Sequence, residues 1–324
     1  YLIPYIKEAL SVNPKILLFA SPWSPPIWMK YPKAYNFGTL RWEEPILNAY
    51  ALYFKKFVEA YAAEGITIGQ VHIQNEPRSN QKFPSCLWTG TQMRDFIRNY
   101  IGPLFEKEKV PCEIWAGTIE VGTVLGWELS RVGLEDYANW AHTILTDERA
   151  YHYTAGIGYQ WCGKGAVQST RTAFPEKPIV QTENECGDGN NSWTYALYVF
   201  DLMWHYFVNG TVAYTYWNMI LPTGGSSTWG WKQNSMLSVT EDNELVFNPE
   251  FYVMKHFAHY VKPGAKRLVT EGHWSSMALA FENTDGSRIV VLANPLKEAK
   301  SVGIIISGKR YVIDLPARSL ATIF

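Results

Sequence analysis

The sequence predicts an α/β protein that consists of an incomplete (β/α) barrel of the TIM type, with about six β/α units, and a small C-terminal antiparallel β-sandwich domain. Up to residue 261, apolar strand-like runs alternate with helical stretches, which is typical of a parallel sheet with right-handed crossovers. From residue 262 the runs become short and alternating, with turn signals such as Asp285-Gly286 between them. We therefore predict two domains, residues 1–261 and residues 262–324.

Six strand-like runs precede this boundary, two fewer than a closed eight-stranded barrel requires. Their continuous hydrophobicity indicates a sheet that is covered on both faces. The predicted strands are residues 16–23, 68–76, 113–120, 156–161, 179–183 and 212–220. The predicted helices are residues 45–63, 93–107, 127–145, 193–208 and 249–261. In the first helix Leu47, Ala51, Phe54 and Val58 recur at helical spacing, and Gly65 ends it.

The C-terminal domain is predicted to hold six short strands, residues 266–270, 277–282, 288–294, 301–306, 310–314 and 320–324.

In the barrel, an open sheet of six strands leaves apolar surface and two unpaired edges, which is costly unless something covers them. An upstream part of a longer chain, a second chain or a homo-oligomer would each provide such a cover. Of these we favour the homo-oligomer.

The composition argues against some classes of partner and favours another. The 324 residues carry a formal net charge of −1, which gives no electrostatic reason to expect nucleic acid or an anionic membrane. No integral membrane segment is predicted, because no run of 18 apolar residues is present. The chain begins at Tyr1 without a visible signal peptide, so its compartment stays open. Aromatic residues make up 15% and favour a carbohydrate ligand, since their rings stack on the apolar faces of sugars.

Among the predicted strands that end on a carboxylate, we single out two, which end on Glu76 and on Glu183. In a parallel α/β barrel the carboxyl ends of the strands surround one pocket. A facing pair of carboxyl groups is what hydrolysis of a glycosidic bond requires, about 5–5.5 Å apart in retaining enzymes and about 6.5–9.5 Å apart in inverting ones. Asn75 lies next to Glu76, and the two face one site only if the strand ends there, which Pro77 makes plausible.

Glu185 competes with Glu183 for the role of the second carboxylate. The two residues share a face if the strand continues, so strand alternation does not separate them. Glu183 lies closer to the body of the strand and is therefore better fixed in position, which favours it as a nucleophile.

Several motifs in order along the chain resemble glycoside hydrolase family 30, the family of acid β-glucosylceramidase and related β-glycosidases. Residues 19–30 (FASPWSPPIWMK) are similar to its signature, residues 73–77 (IQNEP) to its acid/base strand and residues 180–183 (VQTE) to its nucleophile strand. Residues 215–218 (TYWN) are similar to its last barrel strand. The resemblance therefore extends from about residue 3 to the C-terminus.

The resemblance implies a role for each matching residue. Glu76 would be the general acid/base and Glu183 the nucleophile, while Asn75 would orient the sugar 2-hydroxyl. It implies that sugar binding involves Trp23, Trp161, Trp217 and Asn218. No metal or organic cofactor is implied, because two carboxylates suffice for this chemistry.

Other residues near these motifs receive less specific expectations. We expect Trp28 to pack in the core and His72 to be a hydrogen-bonded core histidine. Trp229 and Trp231 lie in a Gly/Ser-rich loop and are expected either to form a platform for the aglycone or to cap the loop.

The chain also departs from the family pattern. It has no room for the first two barrel strands, which precede the residue 19–30 motif in the family. Gln160 stands where the glucosylceramidase pattern has a His, and Cys162 stands where it has a Tyr, which leaves the aglycone preference open.

The leading hypothesis is a retaining β-glycosidase that hydrolyses β-glucosides, including glucosylceramide-like substrates, through a covalent glycosyl-enzyme intermediate. The alternatives within the family are a β-1,6-glucanase and a β-xylosidase. A further alternative is a catalytically inactive, carbohydrate-binding remnant of the barrel.

Overall fold

A six-stranded parallel sheet forms the centre of the N-terminal part of the chain, as the alternation of strands and helices predicts. The computed structural model describes residues 2–122 and 140–324. The strands of this part are β1 (Phe19–Ala20), β2 (Lys30–Tyr31), β3 (Thr39–Leu40), β4 (Gln70–His72), β5 (Glu113–Ile119), β6 (Thr154–Gln160), β7 (Ile179–Glu183) and β8 (Thr211–Tyr214). The order in the sheet is β1-β4-β5-β6-β7-β8, and β2 pairs with β3 in a separate hairpin. The fold is therefore the predicted open (β/α) half-barrel.

Helices surround this sheet. They are α1 (Leu2–Val12), α2 (Glu44–Ala63), α3 (Gly90–Phe96), α4 (Gly102–Glu108), α5 (Trp140–Leu145), α6 (Glu148–Tyr153) and α7 (Val167–Ala173). A π-helical turn over Ile97–Ile101 joins α3 to α4, so the helix predicted at 93–107 is one continuous segment. Of the helix predicted at 127–145, only α5 falls within the described residues. No described helix combines the length and the apolar character needed to cross a membrane.

The core of this part contains a buried histidine against glycine-lined strands. His72 is fully buried, and its ring stacks on Trp115 with a centroid distance of 5.5 Å. A Cβ atom at Gly117 or Gly158 would lie 2.8 or 2.6 Å from His72 Nδ1, so the two glycines make room for the ring. The expectation of a core residue is therefore correct. The expected hydrogen bond is absent, because neither ring nitrogen has a partner among the residues described.

The C-terminal part is built on mainly antiparallel strands and on two helices, α8 (Trp193–Val208) and α9 (Pro249–Ala258). Its strands are β9 (Ile220–Pro222), β10 (Leu237–Val239), β11 (Leu245–Phe247), β12 (Lys266–Leu268), β13 (Ala278–Glu282), β14 (Arg288–Asn294), β15 (Lys300–Ile306), β16 (Lys309–Leu315) and β17 (Ser319–Ile323). The sheet β12-β13-β14-β17 and the hairpin β15-β16 form the predicted β-sandwich, and β9 to β11 form a small third sheet, in which β9 and β10 are a parallel pair.

The four-stranded sheet of this part is covered on both faces. Leu279 and Phe281 of β13 join a buried cluster with Phe200 of α8 and Phe257 of α9. On the other face, the alternating residues Ala278 and Ala280 of β13 pack with residues of β15 and β16. The period of two along β13 thus serves two cores.

The chain divides into two compact units, the first up to Thr182 with Gly210–Ala213, and the second Glu183–Asn209 with Tyr214–Phe324. The predicted domain boundary at residue 261 stays a prediction, and so does the homo-oligomer.

Candidate active site

Strand β4 ends a few residues before Glu76, so Glu76 lies outside the strand. Strand β4 ends at His72, and Glu76 adopts a left-handed backbone conformation with φ of +45°. The end of β5 holds this segment, because Glu76 N donates to Thr118 O at 3.1 Å. Strand alternation therefore no longer applies at Asn75 and Glu76, as the position of Pro77 predicts. Both side chains turn towards the same partner.

That partner is Gln160, the last residue of β6, which is fully buried. Its Nε2 donates to Asn75 Oδ1 at 3.3 Å and to Glu76 Oε1 at 3.4 Å. Its Oε1 accepts from Thr182 Oγ1 at 2.9 Å, which fixes the orientation of the amide. Because Thr182 directly precedes Glu183, Gln160 links the Glu76 segment to the strand that carries the second predicted carboxylate.

The orientation of Asn75 follows from its donors. Thr118 Oγ1 donates to Asn75 Oδ1 at 2.9 Å, in addition to Gln160 Nε2. With two donors on Oδ1, the amide nitrogen is the part of Asn75 that remains as a donor for a ligand. The side chain of Gln74 holds the backbone of Trp23 beside this segment, because Gln74 Nε2 donates to Trp23 O at 2.9 Å.

The ionisation of Glu76 suits a general acid. Burial raises the pKa of its carboxyl, while hydrogen bonds from Gln160 and Ser79 act in the opposite direction. A carboxylic acid with a raised pKa keeps its proton into the pH range where it protonates a leaving group.

A further carboxyl group lies beside Glu76 and was not singled out from the sequence. Glu120, directly after β5, is 8% exposed, and its Oε1 accepts from Arg78 N at 2.8 Å and from Ser79 Oγ at 3.0 Å. Burial and the neighbouring Glu76 raise the pKa of Glu120 to about 8. The signal was present, because the predicted strand 113–120 ends on an acid as the strands of Glu76 and Glu183 do.

In the second unit, the chain around Glu183 contacts the predicted sugar-binding segment. Glu183 is the last residue of β7, and the next residue, Asn184, accepts a hydrogen bond from Trp217 N at 2.5 Å through Oδ1. Asn218 Nδ2 donates to Gln233 Oε1 and to Asn234 O, both at 3.4 Å. The predicted residues Trp217 and Asn218 therefore lie in one hydrogen-bonded network with the residue that follows Glu183.

Asn234 organises the loop after Glu183. Its Oδ1 accepts from Gly189 N at 2.7 Å, and its backbone N donates to Cys186 O at 2.7 Å. Its Nδ2 donates at 2.7 Å to Glu250 Oε1, and burial raises the pKa of Glu250 to about 7. Neither Asn234 nor Glu250 is recognisable as a site residue from the sequence, because both come from segments that are distant from Glu183 along the chain.

The competing residue Glu185 forms hydrogen bonds with two tyrosines. Tyr198 OH donates to Glu185 Oε1 at 3.3 Å, and Tyr195 OH donates to the Glu185 carbonyl oxygen. Both tyrosines belong to α8, so Glu185 is engaged with that helix.

The tryptophans singled out from the sequence are either partly buried or exposed. Trp23 packs against Phe83 with a centroid distance of 5.3 Å, and Trp161 is half-buried with a left-handed φ of +47°. Trp28 is 50% exposed, so the expectation that it packs in the core is wrong. Trp28 lies in a short 3₁₀ turn over Ile27–Met29, directly after Pro26. Only Met29 of this turn is buried. Trp229 and Trp231 are each 41% exposed.

Comparison with known proteins agrees with the resemblance seen in the sequence. The description "Glycosyl hydrolase family 30 TIM-barrel domain" matches residues 1–261, and "Glycosyl hydrolase family 30 beta sandwich domain" matches residues 264–323. The chain is 28% identical over 349 residues to putative glucosylceramidase 3 of Caenorhabditis elegans, with 99% of this chain and 64% of that protein covered. The chain therefore spans less than two thirds of that relative.

Two solved structures share the fold over nearly the whole chain. SrfJ from Salmonella typhimurium superposes with a TM-score of 0.85 at 25% identity, covering 99% of this chain and 71% of that one. The endo-β1,6-glucanase BT3312 superposes with a TM-score of 0.85 at 26% identity, covering 99% and 73%. With both domain descriptions matched in order along almost all of its residues, the chain belongs to glycosyl hydrolase family 30.

Proposed function

We propose that the protein is a retaining β-glycosidase that hydrolyses β-glucosides by double displacement, with Glu76 as acid/base and Glu183 as nucleophile. The observation that carries this proposal is the arrangement at Gln160, which holds Asn75 and a Glu76 of raised pKa together where β4 leaves the sheet. Glu183 ends β7 of the same sheet, and the carboxyl ends of parallel strands lie at one edge.

In the proposed mechanism, Glu183 attacks the anomeric carbon while Glu76 gives its proton to the leaving oxygen, so a glycosyl ester forms and the aglycone departs. Glu76, now ionised, takes a proton from water, which attacks the anomeric carbon and releases Glu183. The Gln160 hydrogen bond supports the ionised form of Glu76 that this second step needs. The amide nitrogen of Asn75 is oriented to donate to a sugar hydroxyl.

Glu183 is preferred to Glu185 as the nucleophile because of what each contacts. The hydrogen bond from Tyr198 engages the Glu185 carboxylate with α8. Glu183 belongs to the body of β7 and is followed by Asn184, whose side chain is tied to Trp217 N. A nucleophile needs such a fixed position.

The name of the C. elegans relative supports a glucoside as substrate, including glucosylceramide-like ones. A β-1,6-glucanase is the second candidate, supported by the endo-β1,6-glucanase structure and by the exposed rings of Trp229 and Trp231. Exposed tryptophan rings are suited to stacking on successive sugars of a chain.

The experiment that tests the proposal is mass spectrometry after incubation with an activated 2-deoxy-2-fluoro-β-glucoside. We expect one adduct per chain, located at Glu183 by fragmentation of the labelled peptide. Glu183→Gln should abolish the adduct, while the matched variant Glu185→Gln should retain it. An adduct on Glu185 would reverse the choice of nucleophile. Binding of the glucoside without any adduct would favour the inactive carbohydrate-binding alternative.

A further inference from the structure

The turn that presents Glu76 is closed by a single carboxyl oxygen from the neighbouring strand. Glu120 Oε1 accepts from Arg78 N at 2.8 Å and from Ser79 Oγ at 3.0 Å. The Ser79 side chain also forms a hydrogen bond with the Glu76 carboxyl. Glu120 is therefore connected to the segment of the proposed acid/base through two groups, the backbone amide of Arg78 and the hydroxyl of Ser79.

This turn needs support from outside itself. Glu76 is a non-glycine residue at φ of +45°, a left-handed backbone conformation that is unfavourable for L-residues. Within the turn, Ser79 N donates to Glu76 O at 3.0 Å. From outside the turn, Trp88 N donates to Pro77 O at 2.7 Å, and the end of β5 supplies two further contacts, because Thr118 O accepts from Glu76 N and Glu120 Oε1 accepts from Arg78 N.

The charge of Glu120 matters because a second carboxylate beside Glu76 would oppose ionisation of the acid/base. Burial and proximity to Glu76 keep the pKa of Glu120 at about 8, so its carboxyl is neutral at neutral pH. Its described neighbours from the Glu76 segment are the Arg78 amide and the Ser79 hydroxyl, and β6 contributes the neutral Gln160 to Glu76. The Arg78 guanidinium donates to Trp88 O at 3.4 Å.

We propose that Glu120 is a positioning residue whose carboxyl oxygen holds the turn of residues 76–79 and so directs the Glu76 carboxyl at the glycosidic oxygen. This inference rests on the proposed function, in which Glu76 is the acid/base. It predicts that loss of the Glu120 side chain impairs proton transfer to the leaving group selectively.

The test compares two substrates of the same glycone. Hydrolysis of 2,4-dinitrophenyl β-glucoside needs little help from an acid, whereas phenyl β-glucoside needs a proton on its leaving oxygen. Since general acid catalysis contributes about 10²–10⁴-fold, we expect Glu120→Ala to lower kcat/KM for the phenyl substrate about 10- to 100-fold. The dinitrophenyl substrate should lose less than about 3-fold. Glu120→Gln introduces an amide, which is uncharged and keeps an accepting oxygen. This variant should retain the wild-type kcat/KM for both substrates.

The outcomes separate the inference from the proposed function. Equal losses on both substrates, or no loss, in Glu120→Ala would overturn the positioning role. If the alkaline limb of the Glu120→Gln profile moved to lower pH, the wild-type residue would be charged and the neutral form would be wrong. Glu76→Gln serves as the reference: if it shows no substrate-selective loss, the proposed function itself fails. Glu120→Asp, which keeps a carboxyl group but shortens its reach to Arg78 N and Ser79 Oγ, repeats the test should Glu120→Ala not fold.

Discussion

At the scale of single residues, Gln160 is expected to set both the ionisation of Glu76 and the orientation of Asn75. Its hydrogen bond favours the ionised carboxyl and so acts to lower the pKa of Glu76, against the larger effect of burial. Gln160→Leu removes this bond, so the pKa of Glu76 should rise further. Because glycosylation needs protonated Glu76, the alkaline limb of the kcat/KM profile should move to higher pH. Loss of the Asn75 contact should lower kcat/KM about tenfold at the optimum.

The control for this variant is Gln168→Leu, an exposed glutamine of α7 with the same change of side chain. Its pH profile should coincide with that of the wild type. A Gln160→Leu profile that is lower but unshifted would show that Gln160 only supports the structure.

The single-residue predictions from sequence succeeded where a strand visibly ends. Pro77 makes an end of the strand at Glu76 plausible; the strand ends earlier, at His72, and Asn75 and Glu76 face one partner. Glu120 was overlooked although it has the same pattern, because its partners at residues 78 and 79 come from another segment. Trp28 is expected in the core as an ordinary packing residue of its motif, but it lies in an exposed turn that follows Pro26.

At the scale of elements, strand length depends on how the chain leaves the sheet. The bounds of β7 and α8 agree with the prediction, because helix-capping or turn residues flank each of them, such as Ser192 before α8. The strands predicted at 16–23 and 68–76 shrink to β1 and β4, two and three residues long. In both cases the remaining apolar residues continue into loops that lie against neighbouring strands, which hydrophobicity alone does not distinguish from a strand.

Gly158 gives a prediction for strand β6. A Cβ atom there would lie 2.6 Å from His72 Nδ1 and 3.0 Å from Thr182 Cγ2, both in the core. Gly158→Ala should therefore lower the free energy of unfolding by about 1–3 kcal/mol through overpacking. Urea titration followed by tryptophan fluorescence measures this change. Because β6 ends at Gln160, activity should fall as well.

Gly303→Ala in β15 is the matched control for Gly158→Ala. Its Cβ would meet Arg310 only at an ordinary distance of 3.7 Å. This variant should change the free energy of unfolding by less than about 0.5 kcal/mol. Equal effects of the two substitutions would show that the cost is the loss of glycine in a strand rather than contact with His72.

At the scale of the whole molecule, three buried groups make stability depend on pH. Glu120 and Glu250 have pKa values raised from 4.5 to about 8 and about 7 in the folded chain, both mainly by burial. Each keeps a proton that the unfolded chain loses, so its contribution is full below pH 4.5 and is lost as pH rises through the folded pKa. Burial lowers the pKa of His72 from 6.5 to about 3, so its contribution is present above pH 6.5 and is lost as pH falls.

Between pH 6.5 and 8 the loss of the two glutamate contributions exceeds the small remaining gain from deprotonation of His72 in the unfolded chain, so the unfolding temperature should decrease. A one-proton difference changes the free energy of unfolding by about 1.4 kcal/mol per pH unit, so Glu120 alone contributes on the order of 2 kcal/mol over this range. Differential scanning calorimetry of Glu120→Gln and Glu250→Gln should show a smaller decrease for each variant. The two residues belong to different compact units. If the units unfold in separate calorimetric transitions, each substitution should therefore change only the transition of its own unit. Glu241→Gln, at an exposed position, controls for the loss of a charge. If the unfolding temperature of Glu120→Gln decreased between pH 6.5 and 8 as much as that of the wild type, the Glu120 carboxyl would already be ionised at pH 6.5.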